Sequence, residues 1–408
     1  MQIKKKLYNF YVIFSLAGFL ISSFLPSMLG IEGNGINILY RVLVLLLSIF
    51  ILLINISSKS FSLKILNQYQ LFIIFWVFYS FFLLKDIYYA PVKLAPNKTY
   101  SEYVQFAFGV VLIPCLALIV IDSKKLNFKT ILNTIYYTIY ILLLGSLISR
   151  SNSNITGRNV GDLEIGVLVY GQYGTMLALL SIYKLVTGKN KLFSIIYILG
   201  IAIGTLTIFV SASRSPFIAL ILSTIYFFIM KKGTKGVFYL SIPAFFIGTF
   251  FFEIMDFFGS LFKSNFLQRL ASTFEKDNER EKLYNVALNE FMDHPFLGKH
   301  FVIQTNPYMG SYPHNLFIEG FMATGFFIGM ILVILFLRTI LIQGKFVIQK
   351  DHFTGWIPMI LCQFFIFSMF SNNIYSNNLL WYSLILTLIS FKYEKLCHSS
   401  YPSVVSRI

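Results

Sequence analysis

Charge is scarce in this chain. Only 12% of its 408 residues are Asp, Glu, Lys or Arg, about half the share of an average soluble domain. An ordinary soluble globular fold is therefore excluded. Cysteine is nearly absent: Cys115 and Cys362 lie inside apolar runs and Cys397 lies in the tail. With no Cys-x-x-Cys and no Cys/His ligand spacing, a disulfide framework and a zinc ribbon are excluded. Acidic residues number 17 against 33 basic ones. No DxD-like pair stands at an outer span end; no metal and no cofactor is expected. Strand-length alternation is missing as well, which excludes an outer-membrane barrel.

What the chain has is apolar length. Hydrophobic residues make up 57% of it, in runs near the roughly 20 residues that cross a bilayer as a helix. The runs predict an all-α polytopic membrane protein with about twelve transmembrane helices, at 8–29, 36–55, 69–85, 103–121, 130–149, 165–186, 192–211, 216–230, 236–255, 314–342, 354–371 and 378–391. Residues 1–255 hold the first nine, 256–313 form one large outer loop, and 314–408 hold the last three and a tail. Lys4, Lys5 and Lys6 before the first run resemble a signal peptide, but the run is too long and no small-x-small site follows. It reads as an uncleaved span.

The net charge of +16 raises nucleic acid as a partner, and its placement argues against that. With the N-terminus inside, most lysines fall in inner segments, from Lys4 to Lys395, as topology requires. Both termini are then cytoplasmic. Arginines collect elsewhere: Arg150, Arg158, Arg214, Arg269 and Arg280 fall on the outer face, with Arg41 inside the second span. Lysine suffices for topology, whereas the planar guanidinium fork suits phosphate. An anionic ligand at the outer face is the functional reading; contact with lipid headgroups is the plainer one.

Within the outer loop, Asn278 and Glu281 have the spacing of a capping box. Leu283, Ala287 and Phe291 follow at helical intervals, and His294-Pro295 with Gly298 close the segment. An amphipathic helix of about four turns is expected, with Arg280 in its first turn, where a cation opposes the helix dipole. Pro313-His314-Asn315 then opens the tenth span. Imidazole is the usual proton carrier near neutral pH. Arg158 before the sixth span, Arg214 in the turn before the eighth, Arg280 and His314 all reach one surface by topology. Asn315 and Glu319, four residues apart, share a helix face, and Tyr312 stands beside them for stacking on sugar. His294 and His300 read as structural; His352 and His398 are inner.

These blocks carry a resemblance. Gly157-Arg158, Ser213-Arg214, Arg280 with its helix ending in His294-Pro295-Phe296-Leu297-Gly298, and Pro313-His314-Asn315 leading to Glu319-Gly320 and Gly325 resemble, in order and spacing, the O-antigen polymerase and ligase superfamily. The likeness covers about residues 150–335. It implies a metal-independent membrane glycosyltransferase of GT-C type in the bacterial inner membrane, with its active site on the periplasmic side. The implied substrate is an undecaprenyl-diphosphate-linked glycan, as donor and as acceptor, with a chain-length regulator protein as a candidate partner. The implied roles are His314 as base and Arg214 and Arg280 as catalytic cations. Arg158, Asn315, Glu319 and Tyr312 would hold substrate.

The His-Pro-Phe-Leu-Gly and Pro-His-Asn blocks favour an O-antigen polymerase. A ligase to lipid A core and a capsule or exopolysaccharide polymerase remain alternatives. A flippase for the same lipid-linked glycan is a more distant one, because no internal repeat or midplane charge marks a transporter.

Overall fold

The computed structural model describes residues 2–29, 36–56, 67–96, 98–148, 166–188, 193–236 and 279–399, with the isolated helical positions 238, 241, 249 and 253. The described residues are helical and loop, with no strand among them. In chain order the helices are α1 (Gln2–Leu29), α2 (Ile36–Ile56), α3 (Gln70–Tyr88), α4 (Tyr100–Ile119), α5 (Phe128–Ile148), α6 (Val167–Thr187), α7 (Ser194–Ser211), α8 (Arg214–Lys232), α9 (Glu279–Asp293), α10 (Leu316–Lys350), α11 (Trp356–Ser368) and α12 (Asn378–Ser399). Among the described residues, eight helices are long and apolar enough to cross a membrane. The chain is an all-helical polytopic membrane protein. The expected ninth span, at 236–255, lies largely outside the described residues.

The apolar surface agrees with a lipid surround. Leu39, Leu46, Phe50 and Leu53 of α2 point outward, as do Val77 and Phe81 of α3. Water would penalise such a face, and hydrocarbon does not. In contrast, α6 is buried from Tyr170 to Tyr183, apart from the partly exposed Ile182. A helix wrapped in protein has no lipid to face, so it tolerates Gly171, Gln172, Gly174, Thr175 and Ser181. Gly174 and Gly204 let α6 and α7 meet backbone to backbone: a Cβ on Gly174 would stand 2.7 Å from the Gly204 carbonyl. Small residues at such crossings are how membrane helices gain packing.

Two boundaries differ from expectation in ways that shape one end of the bundle. Arg214 was expected in a turn, yet it is the first residue of α8. Pro216 falls in that first turn, where its missing N–H would have no helical partner anyway. The eleventh span was expected to reach 371, but α11 ends at Ser368 and α12 begins only at Asn378. The irregular stretch 369–377 between them is mostly buried. Non-helical backbone near a membrane is tolerated only where protein or a polar cavity satisfies it.

Candidate active site

The site begins with how α9 is held. Its end is the expected one: the N–H of Gly298, in left-handed geometry at φ 66°, donates to the His294 carbonyl at 2.9 Å. The segment 294–299 then docks on a break in α10. Gly325 has φ 76° and ψ −177°, which interrupts that helix. The groups freed by the break find partners across the chain: Phe326 N–H donates to the Pro295 carbonyl at 2.7 Å, and Lys299 N–H donates to the Met322 carbonyl at 3.0 Å. Gly325 is required twice over, since its φ favours glycine and a Cβ there would stand 2.2 Å from the Phe296 carbonyl oxygen. The His-Pro-Phe-Leu-Gly block is thus a clamp that fixes α9, and with it Arg280, to the helix that follows His314.

The connection from α9 to α10 is strapped to the C-terminal end of α3. Asp86, fully buried, accepts from Phe301 N–H at 3.0 Å and lies 3.2 Å from His300 Nδ1 and 3.3 Å from Lys85 Nζ. Glu290 of α9 accepts from Gln304 N–H and from the Thr305 hydroxyl, both at 2.7 Å. His300 therefore has a structural partner. Asp86 and Glu290 were not singled out from sequence, although a lone acid at the end of an apolar run is a visible signal.

His314 sits just before α10, half-buried, in left-handed geometry at φ 55°. The cap of α10 is Asn315: its Oδ1 accepts from Phe317 N–H at 3.1 Å and Ile318 N–H at 3.2 Å. That leaves the imidazole outside the capping hydrogen bonds. The Tyr312 ring lies 4.3 Å from the His314 ring. Burial, and then the Arg280 guanidinium, push the His314 pKa down to about 4. Burial and that cation favour the neutral imidazole at physiological pH.

The stretch 369–377 gathers these groups. Asn315 Nδ2 donates to the Met369 carbonyl at 3.2 Å, and the Tyr284 hydroxyl, one turn after Arg280, donates to the same carbonyl at 3.4 Å. Ser215 Oγ, next to Arg214, lies 3.2 Å from Ser371 Oγ. Met369 and Ser371 are two residues apart, so their Cα atoms are separated by at most about 7 Å. The first turn of α8 and the second turn of α9 thus reach one short segment beside His314, and each helix carries an arginine in its first turn. Beside Arg280, the first turn of α9 also carries Glu279 and Glu281.

Glu319 is fully buried and accepts from Ile374 N–H at 3.0 Å and from the Tyr79 hydroxyl at 3.3 Å. Its hydrogen bonds go to neither an arginine nor His314; it anchors the stretch 369–377. Tyr312, Tyr375 and Tyr103 form an aromatic wall, with Tyr103 and Tyr375 centroids 4.6 Å apart and Tyr312 and Tyr375 6.4 Å apart. Other residues of the same stretch, Asn372, Ser376 and Asn377, line a cavity of about 210 Å³ with Gln172, Phe106 and Arg41. The Arg41 guanidinium lies 4.2 Å above the Phe106 ring. Arg158 lies outside the described residues, as do Asn278 and Arg269. The role of 369–377 was missed from sequence, though Ser371-Asn372-Asn373 and Asn377-Asn378 between two spans are an unusual polar cluster.

Residues 198–334, about a third of the chain, match the family model described as O-antigen ligase. The matched segment contains Arg214, Arg280, the 294–298 clamp, His314, Asn315, Glu319 and the Gly325 break. The match supports the O-antigen polymerase and ligase superfamily, whose members are membrane enzymes acting on lipid-linked glycans. No curated protein matches the chain.

Proposed function

We propose that the protein is a polysaccharide polymerase of the bacterial inner membrane, joining undecaprenyl-diphosphate-linked repeat units on the periplasmic side. The observation that carries this reading is the placement of a neutral, half-buried His314 against Arg280, with Arg214 brought to the same segment by the Ser215–Ser371 contact. This placement supports a base acting next to a diphosphate-binding group, as transfer of a glycan from a diphosphate requires.

The reaction is one inverting displacement. An acceptor sugar hydroxyl attacks the anomeric carbon of the donor glycan. The new C–O bond forms as the bond from that carbon to the diphosphate oxygen breaks. His314 takes the hydroxyl proton, which base catalysis of this kind accelerates by about 10²–10⁴-fold. The electron pair leaves with undecaprenyl diphosphate, whose charge Arg214 and Arg280 stabilise through bidentate contacts. Arg158 is assigned to the same anion. Binding of the diphosphate offsets the field of Arg280 at His314, so the imidazole becomes a stronger base once the donor is in place. The partly exposed Tyr312 ring, backed by the buried Tyr375 and Tyr103, suits stacking on a sugar ring, and the amide-rich cavity by Arg41 suits sugar hydroxyls. No step calls for a metal.

The matched family description favours a second reading, a ligase that passes the same donor glycan to lipid A core. Purified protein supplied with lipid-linked repeat units separates the two. A polymerase makes a ladder of longer lipid-linked glycans from that substrate alone. A ligase does nothing until lipid A core is added and then consumes one donor per core. No product with either acceptor rejects both readings.

A further inference from the structure

Beyond Lys350 at the far end of α10 from His314, three ordinary metal donors meet outside the site described above. His352 lies between α10 and α11. Glu394 and His398 lie on α12, four residues apart and so on one helix face. One donor atom from each of the three lies within 4.8 Å of the others. Glu394 is fully buried, while the two imidazoles reach solvent.

The carboxylate is tightly held. Its Oε1 accepts from His352 N–H at 2.8 Å and from the Thr354 hydroxyl. Its Oε2 lies 2.6 Å from His352 Nδ1. The His352 and His398 rings are 5.4 Å apart at 60°. The neighbouring acid, Asp351, is already engaged by Lys231 at 2.9 Å and by the Tyr183 hydroxyl at 2.6 Å. Lys395 is drawn to the Phe391 ring, 4.5 Å away. Cys397, although adjacent to His398, is not among the converging donors.

We propose that His352, Glu394 and His398 form a binding site for a divalent cation of the zinc class. Two imidazoles and one carboxylate suit zinc and its transition-metal neighbours; calcium and magnesium require oxygen donors. Three protein donors leave a fourth tetrahedral position open to water. The cation takes the place of the proton between His352 Nδ1 and Glu394 Oε2, and that proton leaves to solvent. The contact opens from 2.6 Å to about 3.3 Å, the separation of two ligands on one tetrahedral zinc. Affinity rises with pH, because bound imidazole must be neutral. The bound ion clips the loop after α10 to the last turns of α12. This site is independent of the glycan-transfer reading.

The test uses the full chain in detergent with any polyhistidine tag removed. Zn²⁺ titration calorimetry and the visible spectrum of added Co²⁺ give stoichiometry and geometry. One ion per chain is expected, with His352→Ala and His398→Ala each weakening binding by about tenfold or more. Cys397→Ser and His314→Ala leave the affinity unchanged. His398→Ala removes a side chain at the exposed end of α12, so the fold persists in that variant, checked by its thermal transition. No stoichiometric binding, or an affinity unaltered by either histidine substitution, overturns the proposal.

Discussion

The backbone N–H of Phe326 donates to the carbonyl of Pro295 at 2.7 Å. This one bond joins a membrane helix, at its break, to the end of the amphipathic helix that carries Arg280. It makes the distance between Arg280 and His314 a property of the scaffold, since His314 opens the same membrane helix.

Gly325→Ala tests that coupling. The added methyl meets the Phe296 carbonyl, and φ 76° is strained for any L side chain. A cost of about 1–3 kcal/mol is expected from backbone strain, read as a lowered thermal transition in detergent, together with loss of polymer. Gly166→Ala, where no described residue stands within 4 Å of the new Cβ, is the control and lowers the transition far less.

His314→Ala lowers turnover by about 10²–10⁴-fold while protein remains in the membrane at normal abundance. Immunoblots of membrane fractions and polymer ladders on gels check both halves. Normal chain formation in this variant removes His314 from the role of base.

The pH dependence follows from the direction of the His314 shift. The base must be neutral, so activity falls as pH drops through its pKa. Burial and Arg280 hold that pKa low, at about 4. In Arg280→Gln the cation is gone, so the pKa rises toward its ordinary 6.5. The acid limb of kcat/KM, which reports the free enzyme, moves to higher pH in that variant. The acid limb of kcat in the wild type lies above that of kcat/KM, because bound diphosphate opposes Arg280. A titration of labelled His314 by NMR gives the same shift without turnover.

Arg214→Lys keeps the charge and loses the fork. Activity drops by at least about tenfold if the guanidinium grips phosphate bidentately. Retained activity assigns Arg214 to topology alone.

Glu319→Ala leaves Ile374 N–H and the Tyr79 hydroxyl without their acceptor. An unmet buried donor costs about 1–3 kcal/mol, so a lowered thermal transition is expected, with faster hydrogen exchange at residues 369–377. A residue acting only on substrate would leave both unchanged.

Most of the described spans were legible in the sequence because apolar length is a local property, and α9 was legible because its helical period and its stop at His294-Pro295 are local too. The Pro-His-Asn and His-Pro-Phe-Leu-Gly blocks were visible as blocks, but not as partners. Nothing local says that Pro295 answers the break at Gly325, or that Glu319 holds Ile374, 55 residues away. The short eleventh helix was read too long for a related reason: an apolar run continues through Met369-Phe370, while the backbone there turns to meet Asn315 and Tyr284. α6 was legible as a helix, but the near-complete burial of residues 170–183 depends on neighbours that only the assembled bundle supplies.

The most direct measurement counts undecaprenyl diphosphate released per new glycosidic bond by purified protein acting on lipid-linked repeat units. One released carrier per bond formed, with both falling together in His314→Ala, is the predicted result. Lipid-linked units that cross the membrane unchanged, with no carrier released, would contradict the account.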